Sequence, residues 1–246
     1  MSGADESAGF VLHARRFREN SRILELFTRE HGRVAAVARV SARPGRQGAA
    51  QLQPFRELLL RWRGRRALKN LQSFEALTLI ALDGEAGICG LYCNELLLRL
   101  LPEQEPLPAI YDIYGRTLAA LGDGAEPAPV LRRFEWRLLD ELGYAADTEE
   151  DCLVGGPLAR ADEYHFQPGQ GFSVKLIGRD AVRLDAETMR ALQRGEFDDP
   201  RLQRGLRRVT AAALQPLLGP KELKSRKLMR QLLQMKGKER NDSAHP

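Results

Sequence analysis

Cysteine is scarce in this chain: Cys89, Cys93 and Cys152 are the three among 246 residues, too few for a disulfide framework. The N-terminal stretch has no cationic segment followed by a long apolar run and a small-residue cleavage signal, and nothing resembles an acylation or prenylation signal. Apolar runs are short and broken by charge, so no membrane helix is expected and the reading is cytoplasmic. Signatures of covalent chemistry are missing as well: there is no GxxxxGK[ST] phosphate loop, no HExxH zinc motif and no GxSxG nucleophile elbow. The acidic groups Asp140/Glu141 and Asp147/Glu149/Glu150/Asp151 have no second element that assigns them a reaction, so no catalytic residue and no enzyme are expected. Cys89 and Cys93 have the i, i+4 spacing that puts two side chains on one helical face. A structural zinc site normally takes four ligands, and besides Cys152 only the scattered His13, His31, His165 and His245 are available. The two thiols are expected to be ordinary helix residues, with no metal and no other cofactor.

Charge is abundant and arranged in blocks. Residues 10–74 carry 15 Lys/Arg against 4 Asp/Glu, residues 75–200 carry 11 against 24, and residues 201–246 carry 12 against 3. Two basic regions flank an acidic middle, which permits a focused positive field despite a net charge of only +5. The pattern suits a polyanionic partner; it equally suits basic and acidic segments that pair with each other.

The densest early cluster of arginine lies in Leu52–Leu71, LQPFRELLLRWRGRRALKNL. Phe55, Leu58, Leu59, Leu60 and Trp62 supply strand-like bulk, Gly64 marks a turn, and Ala67, Leu68 and Leu71 return beside the first limb as a hairpin. Arg56, Arg61, Arg63, Arg65, Arg66 and Lys69 surround it against Glu57 alone. Buried charge without a partner is costly, so the basic groups must face solvent or a polyanion. Strand candidates near 10–15, 22–28, 33–40, 55–63 and 66–72 make five short strands, the number in an oligonucleotide-binding barrel. A different five-stranded barrel or a compact sandwich fits the same pattern. Ser41–Ala50, SARPGRQGAA, reads as a flexible basic loop.

From Phe74 onward the apolar recurrence turns helical. Helices are expected over Phe74–Leu82, Ile88–Leu101, Ile110–Leu121, Val130–Leu142, Leu184–Leu192 and Leu202–Leu218. A basic segment then runs from Pro220 to Met235, packed along Leu223, Leu228, Leu232 and Met235. In Val130–Leu142, Leu131, Phe134, Leu138 and Leu142 are expected to face the core while Arg132, Arg133 and Arg137 project elsewhere. Tyr164–Phe166 and Phe172–Val174 pair across the PGQG turn. The expected fold class is multidomain α+β. It comprises a flexible leader over 1–9, a five-stranded oligonucleotide-binding barrel over 10–74, a mainly helical domain over 75–235 with a small hairpin-like insertion near 152–175, and a flexible tail over 236–246.

Nucleic acid is the partner the basic residues point to. Arg61, Arg63, Arg65, Arg66 and Lys69 can neutralise phosphates, Arg39, Arg43 and Arg46 extend the same track, and Lys224, Arg226, Lys227 and Arg230 form a second set in the terminal segment. The arginine fork matches phosphate oxygens. Phe17 and Trp62 are candidates for base stacking, with core packing the expected role for both.

Five stretches carry a resemblance in their order along the chain: VLHARRFRENSRILELFTREHGRVAAVAR, LQPFRELLLRWRGRRALKNLQSFEAL, LYCNELLLRLLP, PVLRRFEWRLLDELGY and GPKELKSRKLMRQLL. From residue 11 to residue 233 they resemble the bacterial RecO family of recombination mediators. The resemblance implies an N-terminal oligonucleotide-binding barrel, a helical domain, binding of single- and double-stranded DNA, strand annealing and help in loading recombinase onto protein-coated single strands, all without catalysis. It also implies association with the nucleoid and partnership with RecR and with the C-terminal tail of the single-stranded-DNA-binding protein, whose carboxylates Arg132 and Arg133 are expected to receive. Some family members carry a four-cysteine zinc element; the corresponding region, 150–175, retains only Cys152, which resembles the zinc-free branch. The competing reading is a structural or interaction protein that binds acidic protein tails, with DNA binding secondary.

Overall fold

The computed structural model describes residues 4–39, 51–64 and 66–242, with 236–242 as backbone. It divides into two compact units, one made of Met1–Gly124 with Glu222–Pro246 and one of Ala125–Lys221. In the first, strands β1 (Asp5–Arg18), β2 (Ser21–Thr28), β3 (Gly32–Arg39), β4 (Arg56–Arg63) and β5 (Leu68–Leu79) close into a barrel in the order β1-β2-β3-β5-β4. Every neighbouring pair is antiparallel except β3 and β5, which run parallel with Ala35–Val37 beside Leu68–Asn70. This is a five-stranded barrel of the oligonucleotide-binding type.

Period-two patterning builds it. Val34, Ala36 and Ala38 of β3 and Leu58, Leu60 and Trp62 of β4 meet Leu24 and Leu26 of β2 in one core, while Arg39, Arg61 and Arg63 take the opposite face. The small Ala36 and Ala38 are complemented by Trp62, which is 1 % exposed. Strand β1 serves two neighbours, Asp5–Phe10 pairing with β4 and Gly9–Arg18 with β2, and a register shift between Val11 and His13 lies along the way.

Two expectations are corrected here. Residues 5–9, read as part of a loose leader, are strand, because β4 supplies their pairing partners from Trp62 to Leu58. Phe74–Leu82, read as helix, belongs to β5 as far as Leu79, which pairs with Arg56; cross-strand pairing overrides a short helix-like apolar spacing.

Helices α1 (Gly84–Leu100), α2 (Pro108–Gly122) and α6 (Lys224–Asp242) belong to the barrel's unit, so the division follows Gly124 and not the barrel's last strand. The cause is apolar surface on the outside of the barrel. Phe10 and Phe27 pack against Tyr111, with Phe10 5.0 Å from Tyr114, and the Asn94 amide donates to the carbonyl of Leu12 at 2.9 Å. Tyr114 donates to Asn94 at 2.5 Å and Tyr111 to Glu57 at 2.7 Å. Burial, with the Glu57 carboxylate second, pushes the Tyr111 hydroxyl far above its ordinary pKa, so it stays a donor. Helix α6 continues to Asp242 through residues expected to be tail. Its expected packed stripe is corrected as well: Leu223 is buried, whereas Leu228 and Met235 are 43 % and 61 % exposed.

The second unit sets α3 (Pro127–Glu141) and a small sheet against α4 (Ala186–Arg194) and α5 (Gln203–Leu218). The sheet has the order β10-β8-β9-β6-β7, from β6 (Glu150–Asp151), β7 (Gly156–Pro157), β8 (Glu163–Gln167), β9 (Gly171–Ser173) and β10 (Val182–Asp185). Strands β8 and β9 are the expected hairpin, pairing His165 with Ser173 and Gln167 with Gly171. Trp136, Phe166, Phe172, Leu184, Met189 and Leu206 are central to its core.

Candidate nucleic-acid interface

Register brings the barrel's arginines together. Arg16 pairs with Arg22 and Arg18 with Ser21, and Ser21 pairs in turn with Arg39, so the tip of the β1–β2 hairpin lies beside the end of β3. On the other side of β3, Ala35–Val37 lie beside Leu68–Asn70, and Asn70 pairs with Arg63. The second half of β3 is therefore bracketed by two basic turns, one with Arg15, Arg16, Arg18 and Arg22, the other with Arg63 and Arg66. In barrels of this type the β2–β3 face and these two loops contact single strands. Arg15, Arg16, Arg39, Arg63 and Arg66 are exposed and make no ion pair among the described residues. Arg61, also exposed, is bonded to Glu6 at 2.6 Å. A rim of exposed guanidiniums, most of them without an ion pair among the described residues, is what a phosphate backbone requires.

Several residues are placed otherwise than the sequence suggested. Lys69 is 7 % exposed and is set into the sheet, not free on the rim. Trp62 is in the barrel core, as expected, with His31 edge-on at 5.1 Å. Phe17, for which a core role was expected, is 43 % exposed at the hairpin tip, with the Arg18 guanidinium 5.1 Å from its ring centroid; its ring face is thus open to solvent and not packed in the barrel core. Arg43, Arg46 and Arg65 lie outside the described residues. Arg15, Arg16, Arg18 and Arg22 were not among the residues expected to bind. Composition marks them as charged, but only strand register shows that the hairpin tip carrying them lies beside Arg39.

The second basic set stands on α6, where Lys224, Arg226, Lys227 and Arg230 are all exposed, Arg230 being bonded to Glu222 at 2.7 Å. Its anchor is Glu95 of α1. That carboxylate accepts the backbone N–H groups of Lys224 and Ser225 at 3.0 Å each and the Ser225 hydroxyl at 2.8 Å, and it pairs with Arg99 at 3.1 Å. It thereby caps a helix remote in sequence. Burial works to raise the pKa of Glu95, but these donors outweigh it and hold the pKa below the ordinary value.

Arg132 and Arg133, adjacent in sequence, have opposite environments. Arg132 is 7 % exposed; its Nη2 lies 2.5 Å from Glu135 Oε1, and Glu135 Oε2 accepts the Thr210 hydroxyl from α5 at 2.5 Å. The expectation that it projects from the core is corrected: α3 buries Arg132, Phe134, Glu135, Trp136 and Leu138 together. Arg133 is exposed and bonded to Asp198 through both carboxylate oxygens, at 2.9 and 2.7 Å. Cys89 and Cys93 are buried, and among the described residues no group of three or more His, Cys, Asp or Glu is placed to hold a metal ion. None of the described helices is long and apolar enough to cross a membrane.

A five-stranded barrel of this connectivity, rimmed by exposed arginine, defines an oligonucleotide-binding class. Within that class the chain belongs to the RecO family: the profile described as "Recombination protein O N terminal" matches residues 1–80 and "Recombination protein O C terminal" matches residues 81–227. The chain is 40% identical over 227 residues to the "DNA repair protein RecO" of Sodalis glossinidius, covering 91% of this chain and 86% of that protein. It is 38% identical over 226 residues to the protein of that name from Nitrosococcus oceani, covering 91% and 92%. With the one from Actinobacillus pleuropneumoniae serotype 7 it is 35% identical over 227 residues, covering 92% and 94%.

Proposed function

We propose that this protein is a noncatalytic recombination mediator in DNA repair that holds single strands on the arginine rim of its barrel, anneals complementary strands and helps load recombinase onto protein-coated single strands. The coarse role, DNA binding in repair and recombination without a covalent step, follows from membership of the RecO family. The convergence of Arg15, Arg16, Arg18, Arg39, Arg63 and Arg66 around the second half of β3 supports the finer one. Neutralising two backbones at once lowers the repulsion between complementary strands, and the counterions released drive binding without regard to sequence. Double-stranded DNA presents the same phosphates, and the protein would be associated with the nucleoid.

RecR and the C-terminal tail of the single-stranded-DNA-binding protein are the proposed protein partners. For an acidic tail, Arg133 and Arg137, 45% and 57% exposed, are the accessible cations of α3; the tail's carboxylates would replace Asp198 on Arg133. Arg132 contributes by holding α3 in place. The test of the function is annealing of complementary oligonucleotides by purified protein with no nucleotide added. Acceleration that fades as salt rises is expected, and no acceleration at any salt concentration would remove the annealing role.

A further inference from the structure

The β1–β2 hairpin is irregular at its tip. Arg16 pairs with Arg22 and Arg18 with Ser21, so β1 takes two steps where β2 takes one, and Phe17 is left with no residue opposite it. A register shift of this kind is that of a β-bulge, which re-aims a side chain out of the ordinary alternation of its strand. The side chain re-aimed here is a large apolar one. Phe10, Phe27, Trp62 and Phe74, the other phenylalanine and tryptophan rings of the five barrel strands, are buried, whereas Phe17 is exposed. The Arg18 guanidinium lies against the Phe17 ring, so the exposed ring stands beside a cation at the tip.

Charge at this tip is one-sided. Residues 13–24 carry Arg15, Arg16, Arg18 and Arg22 against Glu19 as their one carboxylate. Arg39 comes beside them through its pairing with Ser21, and Glu25, the next acid along β2, is bonded to Arg33 at 3.5 Å. In barrels of this type the β1–β2 loop is one of the two that contact oligonucleotides. Arginine by itself does not tell one strand from two, because both present a row of phosphates. An aromatic ring does. The bases of a duplex are stacked on one another and closed to it, whereas each base of a single strand has a π-face to offer.

We propose that Phe17 stacks on an unpaired base and gives the barrel rim its preference for single strands, while the flanking arginines hold the phosphates on either side. The inference rests on the DNA-binding reading above and adds to it the group that senses strandedness. The test titrates the full-length protein into fluorescent oligothymidine and into a duplex of equal length, following anisotropy over a range of salt, with circular dichroism to establish that each variant is folded. F17A lowers single-strand affinity about 5- to 150-fold, the range for truncating a ring that stacks on one base, while duplex affinity stays within about twofold. The line of log affinity against log salt keeps its slope, because no phosphate contact is lost. F17W restores single-strand binding; F17L, which keeps apolar bulk without a ring, does not. On an oligonucleotide whose bases are replaced by abasic sites, wild type and F17A bind alike. The rim variant R15A/R16A/R63A/R66A weakens binding to both kinds of DNA and flattens the salt line; if it binds both like wild type, the rim reading fails independently of Phe17. Wild-type single-strand affinity in F17A overturns the proposal, as does an equal loss on single strand and duplex, or recovery by F17L as full as by F17W.

Discussion

Arg132→Ala is the sharpest test of how the second unit is held together. Arg132 and Glu135 have side chains 9% and 2% exposed, and through Thr210 the pair fastens α3 to α5. Alanine leaves the Glu135 carboxylate buried without its guanidinium. Breaking a buried pair from one side costs ~3–5 kcal/mol, and with the Thr210 hydroxyl still donating, the low end, about 3 kcal/mol, applies. For a unit of roughly a hundred residues, each kcal/mol moves the midpoint by about 4–8 °C, so a fall of about 12–24 °C in the Tm of this unit is expected. The two tryptophans separate the units, because Trp62 is in the barrel core and Trp136 in the core of the second unit. In a Trp62→Phe background, fluorescence follows the second unit alone. Arg133→Ala is the control: its pair with Asp198 is 45% and 76% exposed, and its loss shifts stability by no more than ~0.5 kcal/mol. Replacing both charges, R132M/E135L, costs less than R132A, because neither member is stranded. A midpoint for R132A within ~1 kcal/mol of wild type, or a double variant less stable than R132A, refutes the reasoning.

Three further outcomes follow from the geometry of the first unit. Neutralising Arg61, Arg63, Arg65 and Arg66 together weakens binding to unrelated single strands alike and flattens the log-affinity against log-salt line by about 0.7 per phosphate contact; a folded quadruple variant with the wild-type slope moves the footprint to the β1–β2 hairpin tip or to α6. The pKa of Glu95 is depressed in the folded protein, so its hold on α6 is present above its ordinary value of 4.5 and is lost as pH falls through the lower folded value. Amide exchange over 224–232 then rises in acid, and Glu95→Gln shows the same faster exchange at neutral pH; protection equal to wild type in that variant removes the cap. Gly32→Ala destabilises the barrel by more than ~2 kcal/mol, because Gly32 has φ +64 and a Cβ there would lie 1.8 Å from the Glu105 carbonyl oxygen; Trp62 fluorescence in urea reads it, and an unchanged midpoint shows that the 101–107 segment moves aside.

The barrel was legible because period-two patterning is local: GRVAAVAR and RELLLRWR declare their inner and outer faces within eight residues. Its edges were not. Asp5–Gly9 has too little apolar content to read as strand, and it is strand because β4 pairs with it. The last turn's worth of β5 carries a helix-like spacing that Arg56 and Glu57 override. The arginine rim was half legible for the same reason, since composition marks which residues are charged while register decides which of them meet.

Arg132 shows where pattern reading fails physically. Apolar periodicity assigns a charged side chain to the solvent face by default, and on α3 that default separated Arg132 from the core stripe. A buried guanidinium is placed by its partner, and the partner was in view: Glu135 stands at i+3, the spacing at which two side chains on one helix touch. Arg133 has Glu135 only at i+2, pointing away, and finds Asp198 across a loop instead. Of two adjacent arginines, the one with an acid one turn on is the one the core could take in, and its neighbour is left to bind something else.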